Sequence, residues 1–197
     1  MPFQDLGLVL AAGAGRRFGQ PKAGDVFNGE RLVDRSIRLL HQAGCQSVTV
    51  VLGAWIQPLT SCRVVVNQHW SSGFASSLRC GLQALSVEEV QPDTDTRSKR
   101  AVITLVDLPG LTEPAIKTVL GVQESLVAAT YRGQQGHPVV IAQSHWPCLI
   151  SSLEGDRGAG AYLKKHRNEL RLVEVSHLAS GEDWDEPSSN QFQPFQE

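Results

Sequence analysis

The sequence is short of several features, and each shortage narrows its function. It has no excess of positive charge: 18 lysines and arginines stand against 20 acids, a net charge of −2 over 197 residues. A general nucleic-acid surface needs clustered excess Lys and Arg, so no nucleic-acid partner is expected. No apolar run approaches the roughly 18 residues that span a bilayer, and no membrane partner is expected either. Met1-Pro2-Phe3-Gln4-Asp5 has neither the basic nor the apolar region of a signal peptide, which makes the cytoplasm the expected compartment. Cys45, Cys62, Cys80 and Cys148 form no Cys-x-x-Cys pair, and the six histidines form no His-x-x-x-His helix. Neither a disulfide-stapled fold nor a structural or catalytic zinc is expected from such spacing.

Two common phosphate loops are also missing. No run of Gly, four residues and Gly-Lys-Ser/Thr occurs, which excludes a Walker A loop. A dinucleotide fingerprint needs Gly-x-Gly-x-x-Gly and an acid ending the second strand. Here Phe18 takes the place of the third glycine, and the second strand, Val48 to Leu52, runs into Gly53, so NAD is not expected.

What is present is an alternation of strand-like and helix-like segments. Hydrophobic residues make up 41% of the chain, enough for the core of one sizeable domain. Strands are expected at Leu6–Ala12, Val48–Leu52, Val64–Val66, Ala101–Val106, Leu126–Tyr131, Pro138–Ala142 and Leu170–Val175. The fifth and sixth of these would be joined by a turn at Gly133-Gln134-Gln135-Gly136. Helical periodicity marks Leu32–Ala43, stopped by Gly44, and a segment from about Ala75 through Leu85. Thr112 is placed to cap a helix over Glu113–Leu120, and a short helix ends at Tyr162–His166. Residues 86–100 read as a polar loop and 188–197 as a flexible tail, leaving one domain over 1–187. The alternation predicts an α/β fold with a mostly parallel sheet.

The richest segment is Gly7 to Lys22. A buried strand breaks into Leu10-Ala11-Ala12-Gly13-Ala14-Gly15-Arg16-Arg17-Phe18-Gly19-Gln20-Pro21-Lys22. Glycines let backbone N–H groups approach a ligand closely, and consecutive N–H groups form an anion-binding nest. Arg17 and Lys22 add charge suited to a triphosphate. Ligands of such sheets sit beyond the carboxyl ends of the strands, where Asp107 should also lie. A carboxylate facing a triphosphate needs a cation between them, and Mg²⁺ is held by one or two carboxylates, phosphates and water. Asp107 is equally suited to starting the turn Asp107-Leu108-Pro109-Gly110.

The other motifs are ambiguous singly. Asn67-Gln68-His69-Trp70-Ser71-Ser72-Gly73 precedes the Ser76-Ser77-Leu78 helix, whose N-terminus suits an anion or a plain serine cap. Gly136-His137-Pro138 reads as a turn into a strand. Asp156, in Gly155-Asp156-Arg157-Gly158, suits a helix cap, and Asp183-Trp184-Asp185-Glu186-Pro187 suits a solvated acidic tail.

Their order, from residue 6 to about 187, resembles the molybdopterin nucleotidyltransferases, and within them the cytidylyltransferase branch. The resemblance implies a three-layer Rossmann-like domain that moves a nucleoside monophosphate from CTP, in preference to GTP, onto the phosphate of a molybdopterin-type cofactor. Pyrophosphate would be released, and a molybdoenzyme would receive the product. It implies that Leu10, Ala11, Ala12, Gly13, Ala14, Gly15, Arg17, Lys22, Asn67 and Ser77 bind nucleotide, with Lys22, Arg17 and Asp107 catalytic. Trp70, Gly73, His137 and Asp156 would face the acceptor, and Asp107, Asp183 and Asp185 would hold Mg²⁺. The chain departs from the pattern at Gly160, where the family usually has arginine, and at Trp184, where it usually has an aliphatic residue. These departures keep two alternatives open: a cytidylyltransferase for another phosphorylated acceptor, and a non-catalytic carrier or maturation factor.

Overall fold

The computed structural model describes residues 3–87 and 97–184. Asp185, the tail 188–197 and positions 88–96 of the expected polar loop lie outside the described residues. The elements in chain order are β1 (Phe3–Ala11), β2 (Val26–Phe27), β3 (Glu30–Arg31), α1 (Leu32–Ala43), β4 (Ser47–Leu52), β5 (Arg63–Val66) and α2 (Phe74–Ser86). There follow β6 (Ser98–Leu105), α3 (Glu113–Leu120), β7 (Leu126–Tyr131), β8 (Gln134–Ala142), α4 (Trp146–Ser152), α5 (Gly160–Lys165) and β9 (Leu170–Glu174). Seven strands form one sheet in the order β5-β4-β1-β6-β8-β7-β9, and β2 and β3 make a small separate ribbon. Within the large sheet only β8 runs against its neighbours, so the sheet is mixed and mostly parallel.

Alternation along β1 builds the three layers. Leu6, Leu8 and Leu10 point to one face, where Leu78, Leu82 and Leu85 of α2, Trp146 and Leu149 of α4 and Leu163 of α5 cover them. Val9 and Ala11 point to the other, under Ile37 and Leu40 of α1 and Ile116 and Val119 of α3. Two glycines allow the helices to come this close. A Cβ on Gly81 would stand 2.6 Å from a Leu8 methyl, and one on Gly7 3.0 Å from a Leu40 methyl.

Several boundaries differ from the sequence reading, for local reasons. The β7–β8 turn is Arg132-Gly133, both at positive φ (52° and 80°), as a tight two-residue hairpin requires. Gly136, His137 and Pro138 therefore lie within β8 rather than in a turn. β1 begins at Phe3 because Gln4 and Asp5, both buried, find partners in Gln46 and Arg100. Helix α4 was not expected, although Trp146, Leu149 and Leu153 keep a helical period and are buried. Thr112 caps α3 as expected, accepting from the Ala115 N–H at 3.3 Å.

Candidate active site

The carboxyl ends of β1, β4, β5 and β6 lie along one edge of the sheet, and a cleft of about 520 Å³ opens there. The loop after β1 forms one wall. It is closed on itself by the Gly19 N–H donating to the Gly15 carbonyl at 2.8 Å, and buried Phe18 anchors it below. Pro21, at φ −60°, leads into a single 3₁₀ turn that begins with Lys22. This turn sets the Lys22 ammonium 2.8 Å from Asp107 Oδ2, just beyond β6.

Gly15 is needed by the loop itself. Its φ is +60°, and a Cβ there would stand 1.9 Å from the Gln20 carbonyl oxygen, whereas a Cβ on Gly13 meets nothing within 4 Å. Gly15→Ala should therefore lower stability by about 1–3 kcal/mol, with Gly13→Ala close to wild type. Thermal melts of both variants check this, and a Gly15→Ala protein as stable as wild type would contradict it.

The N-terminus of α2 and the segment before it form the opposite wall. Trp70, Ser71, Gly73, Phe74, Ser77 and Asp156 line it. Gly53, the residue after β4, seats Trp70: a Cβ there would come 2.6 Å from the Trp70 Cβ. The first turn of α2 has no serine cap. The Ala75 N–H donates to the Gly155 carbonyl at 3.0 Å, and Asp156 Oδ1 lies 3.4 Å from the Phe74 nitrogen. Asp156 thus caps α2, a helix far away in sequence, as well as facing the cleft.

Of the sequence candidates, Leu10, Ala12, Gly13, Ala14, Gly15, Lys22, Trp70, Gly73, Ser77, Asp107 and Asp156 line the cleft. Ala11 points into the core beneath it. Two further candidates stand outside the cleft lining. Asn67 does not reach the cleft: it is buried behind it, donating to Ser76 Oγ (2.8 Å) and Ser77 Oγ (3.1 Å) and accepting from the His69 N–H. Its role is to hold the β5–α2 loop against the helix. Arg16 rather than Arg17 lines the cleft, because the turn over residues 16–19 sends successive side chains in different directions. Arg16 and Phe74 were missed, since neighbouring charges in a loop carry no periodicity from which to read their facing.

His137 stands on β8, which starts where β6 ends; it is outside the cleft lining, though its ring feels the Asp107 charge. The Tyr131 hydroxyl donates to its carbonyl at 2.6 Å. Burial pushes the His137 ring down to about 4, outweighing the upward pull of the Asp107 charge, so the ring is neutral at pH 7. The unfolded chain takes up this proton near pH 6.5, the folded chain only near pH 4. Stability from neutral His137 is thus complete above pH 6.5 and is lost as pH falls towards 4. His137→Asn should flatten that part of the profile, measured as urea midpoints between pH 7.5 and 4. Parallel profiles would contradict it.

The segment after β9 packs along the Asp107 loop. Ser180 N–H donates to the Gly110 carbonyl (3.1 Å), and Trp184 N–H donates to the Asp107 carbonyl (2.9 Å). The buried Trp184 ring meets Phe27 edge to face at 5.2 Å. The bulk at position 184 therefore serves as an anchor that ties the segment ending at Asp183-Trp184 to the Asp107 backbone.

A mostly parallel α/β sheet whose first loop faces a lysine–aspartate pair has the frame of an NTP transferase. Comparison with known proteins gives the family: residues 7–170 match the MobA-like NTP transferase domain, and the chain belongs to that family of nucleotidyltransferases. It is 33% identical over 196 residues to nicotine blue oxidoreductase of Paenarthrobacter nicotinovorans, with 91% of each chain covered. Among solved structures it is similar to Rv0371c of Mycobacterium tuberculosis, at TM-score 0.72 and 24% identity, covering 87% of this chain and 88% of that one. Rv0371c has also been solved in complex with manganese (TM-score 0.67, 22% identity, 87% of this chain and 88% of that one). The inositol-1-phosphate CTP transferase of T. maritima aligns at TM-score 0.70 and 18% identity, covering 96% of this chain and 92% of that one. Among the described residues, no helix is long and apolar enough to cross a membrane.

Proposed function

We propose that the protein transfers CMP from CTP, in preference to GMP from GTP, to the phosphate of a molybdopterin-type acceptor and releases pyrophosphate. The observation that carries this reading is the Lys22–Asp107 pair at 2.8 Å beside the glycine loop. Each partner is what one charge of a metal–triphosphate complex needs. In the reaction, an oxygen of the acceptor phosphate attacks the α-phosphorus. The bond from that phosphorus to the oxygen bridging to the β-phosphate breaks, and pyrophosphate leaves with the electron pair. The acceptor phosphate is already a nucleophile, so no general base is required, and catalysis rests on positioning and charge stabilisation.

The backbone N–H groups of residues 13–15 would hold the phosphates, with Arg16 and Arg17 at the rim. Lys22 would exchange its bond with Asp107 for one to the α-phosphate. Trp70, Gly73, Phe74 and Asp156 would bound the acceptor side, with neutral His137 nearby. Asp107, with Asp183 one residue before the Trp184 anchor, would supply the hard oxygen donors that suit Mg²⁺. Asp185 belongs to the same expected set. The bound cation would neutralise charge on the α-phosphate and the leaving pyrophosphate. The manganese complex of Rv0371c supports a divalent cation, and the inositol-1-phosphate CTP transferase supports the choice of CTP.

Calorimetric titration of CTP, GTP and ATP, with and without Mg²⁺, tests the nucleotide and metal assignments. CTP should bind tightest, and Asp107→Ala should remove the Mg²⁺ dependence. Tighter GTP binding would overturn the base preference. Unchanged Mg²⁺ dependence in Asp107→Ala would move the metal site elsewhere.

A second reading is favoured by the relative named nicotine blue oxidoreductase. The same cleft would then bring a reductant to the compound of that name. Reduction of nicotine blue by the protein with a supplied chemical reductant would support it, and no reduction above the protein-free rate would remove it.

A further inference from the structure

We propose that His145, His166 and Glu169 form a binding site for a borderline divalent cation of the zinc class, at the edge of the sheet opposite the cleft. The topology brings them together. Because β8 runs antiparallel to β6, it ends at Ala142 beside Arg100, near the start of β6, while the cleft lies beyond the end of β6. His145 stands in the turn from β8 into α4. His166 and Glu169 stand in the turn from α5 into β9, and Leu170 at the start of β9 pairs with Leu126 at the start of β7. One side chain thus comes from one junction and two from another, separated by 21 residues of sequence at the nearest. No spacing rule on the sequence would pick out this set, which explains why zinc was not expected from it.

The donor atoms are already grouped. One ligand atom from each residue lies within 4.8 Å of the other two. Zinc bonds of about 2.0–2.2 Å place tetrahedral donors about 3.4 Å apart, so a small inward rotation closes the set. Two imidazole nitrogens and one carboxylate suit zinc-class ions, whereas Mg²⁺ prefers all-oxygen shells of the kind Asp107 and Asp183 offer. The two ends of the sheet would therefore select different cations.

Buried Tyr162 orients both imidazoles. Its hydroxyl lies 2.9 Å from His145 Nδ1, and its ring stacks on His166 with centroids 4.3 Å apart. Metal-bound histidines use such an outer hydrogen bond on the non-ligating nitrogen. His145 Nε2 has a longer contact, 3.3 Å to Ser125 Oγ, which a cation would displace. His166 Nδ1 and Glu169 Oε1 sit 2.9 Å apart, placing a carboxylate charge within the set. A bound ion would tie α4 to α5 and β9 and stabilise the fold in proportion to its occupancy.

The test uses the full chain carrying Cys148→Ser, because an exposed thiol would bind zinc on its own. Zn²⁺ is titrated against a chromophoric chelator with Mg²⁺ in excess, which occupies the oxygen donors of the cleft. One equivalent of Zn²⁺ should bind at micromolar affinity or tighter and raise Tm. His166→Asn and Glu169→Gln should each weaken it at least tenfold, and together remove both the equivalent and the Tm shift. Circular dichroism and Mg²⁺-dependent nucleotide binding of the double variant should match the parent, showing that the fold and the cleft are intact. Retention of the equivalent or of the Tm shift in the double variant overturns the proposal, as does its absence from the parent.

Discussion

Lys22→Ala should lower kcat by about 10²–10³-fold and leave the fold intact. Lys22 is the cationic side chain that already bonds at the strand edge where the α-phosphate would sit, 2.8 Å from Asp107. Of the cationic groups of the glycine loop, Arg16 lines the cleft from an exposed turn, and Lys22 is the one held against Asp107 at the strand edge. An interaction made most strongly in the transition state shows in kcat more than in KM. Stability should change by about 1 kcal/mol or less, because the Asp107 carboxylate left behind borders the open cleft. Single-turnover kinetics and circular dichroism together check this. Wild-type turnover with an unchanged spectrum would remove Lys22 from the chemistry.

The largest stability effect should come from Arg100→Ala. Arg100 is completely buried and binds Asp5 through two hydrogen bonds, Nε to Oδ1 at 2.7 Å and Nη2 to Oδ2 at 3.0 Å. It also donates to the carbonyls of Leu120, Val122 and Glu124, where the chain leaves α3. Truncation strands a buried carboxylate and removes the side-chain donor from the Val122 and Glu124 carbonyls, while the Leu120 carbonyl keeps the Gln123 amide at 2.8 Å. The expected loss is about 3–5 kcal/mol, a Tm drop of roughly 10 °C for a chain this size. The double change Asp5→Leu with Arg100→Met should recover part of the loss, because an apolar pair leaves no charge unpaired. Urea unfolding of the three variants measures it, and an Arg100→Ala loss below about 1 kcal/mol would contradict the account.

This ion pair also shows where sequence reading stopped. The strand at Leu6–Ala12 was legible because its apolar run is continuous. Its extension back to Phe3 was not, because Gln4 and Asp5 look like surface residues until Gln46 and Arg100 arrive from elsewhere in the chain. The cleft shows the same division. The glycine loop and Asp107 could be placed because each follows the end of a buried strand, and Lys22 because it closes that loop. Whether Asn67 faces the cleft or stands behind it depends on how the β5–α2 loop folds over Ser76 and Ser77. The choice between Arg16 and Arg17 rests on a single turn. Trp184 looked like a departure within an acidic tail, and its anchoring role appears only once Phe27 stands beside it. The α4 helix did leave a signal at Trp146, Leu149 and Leu153, but Pro147 and the shortness of the segment masked it.

The most direct test of nucleotidyl transfer is pyrophosphate release with Mg²⁺ and molybdenum-loaded molybdopterin, comparing CTP with GTP and ATP. The account predicts acceptor-dependent release with CTP well above the other two, slowed about 10²–10³-fold in Lys22→Ala. No release with any nucleotide that the protein binds would contradict it and favour a carrier that holds nucleotide or cofactor without turnover.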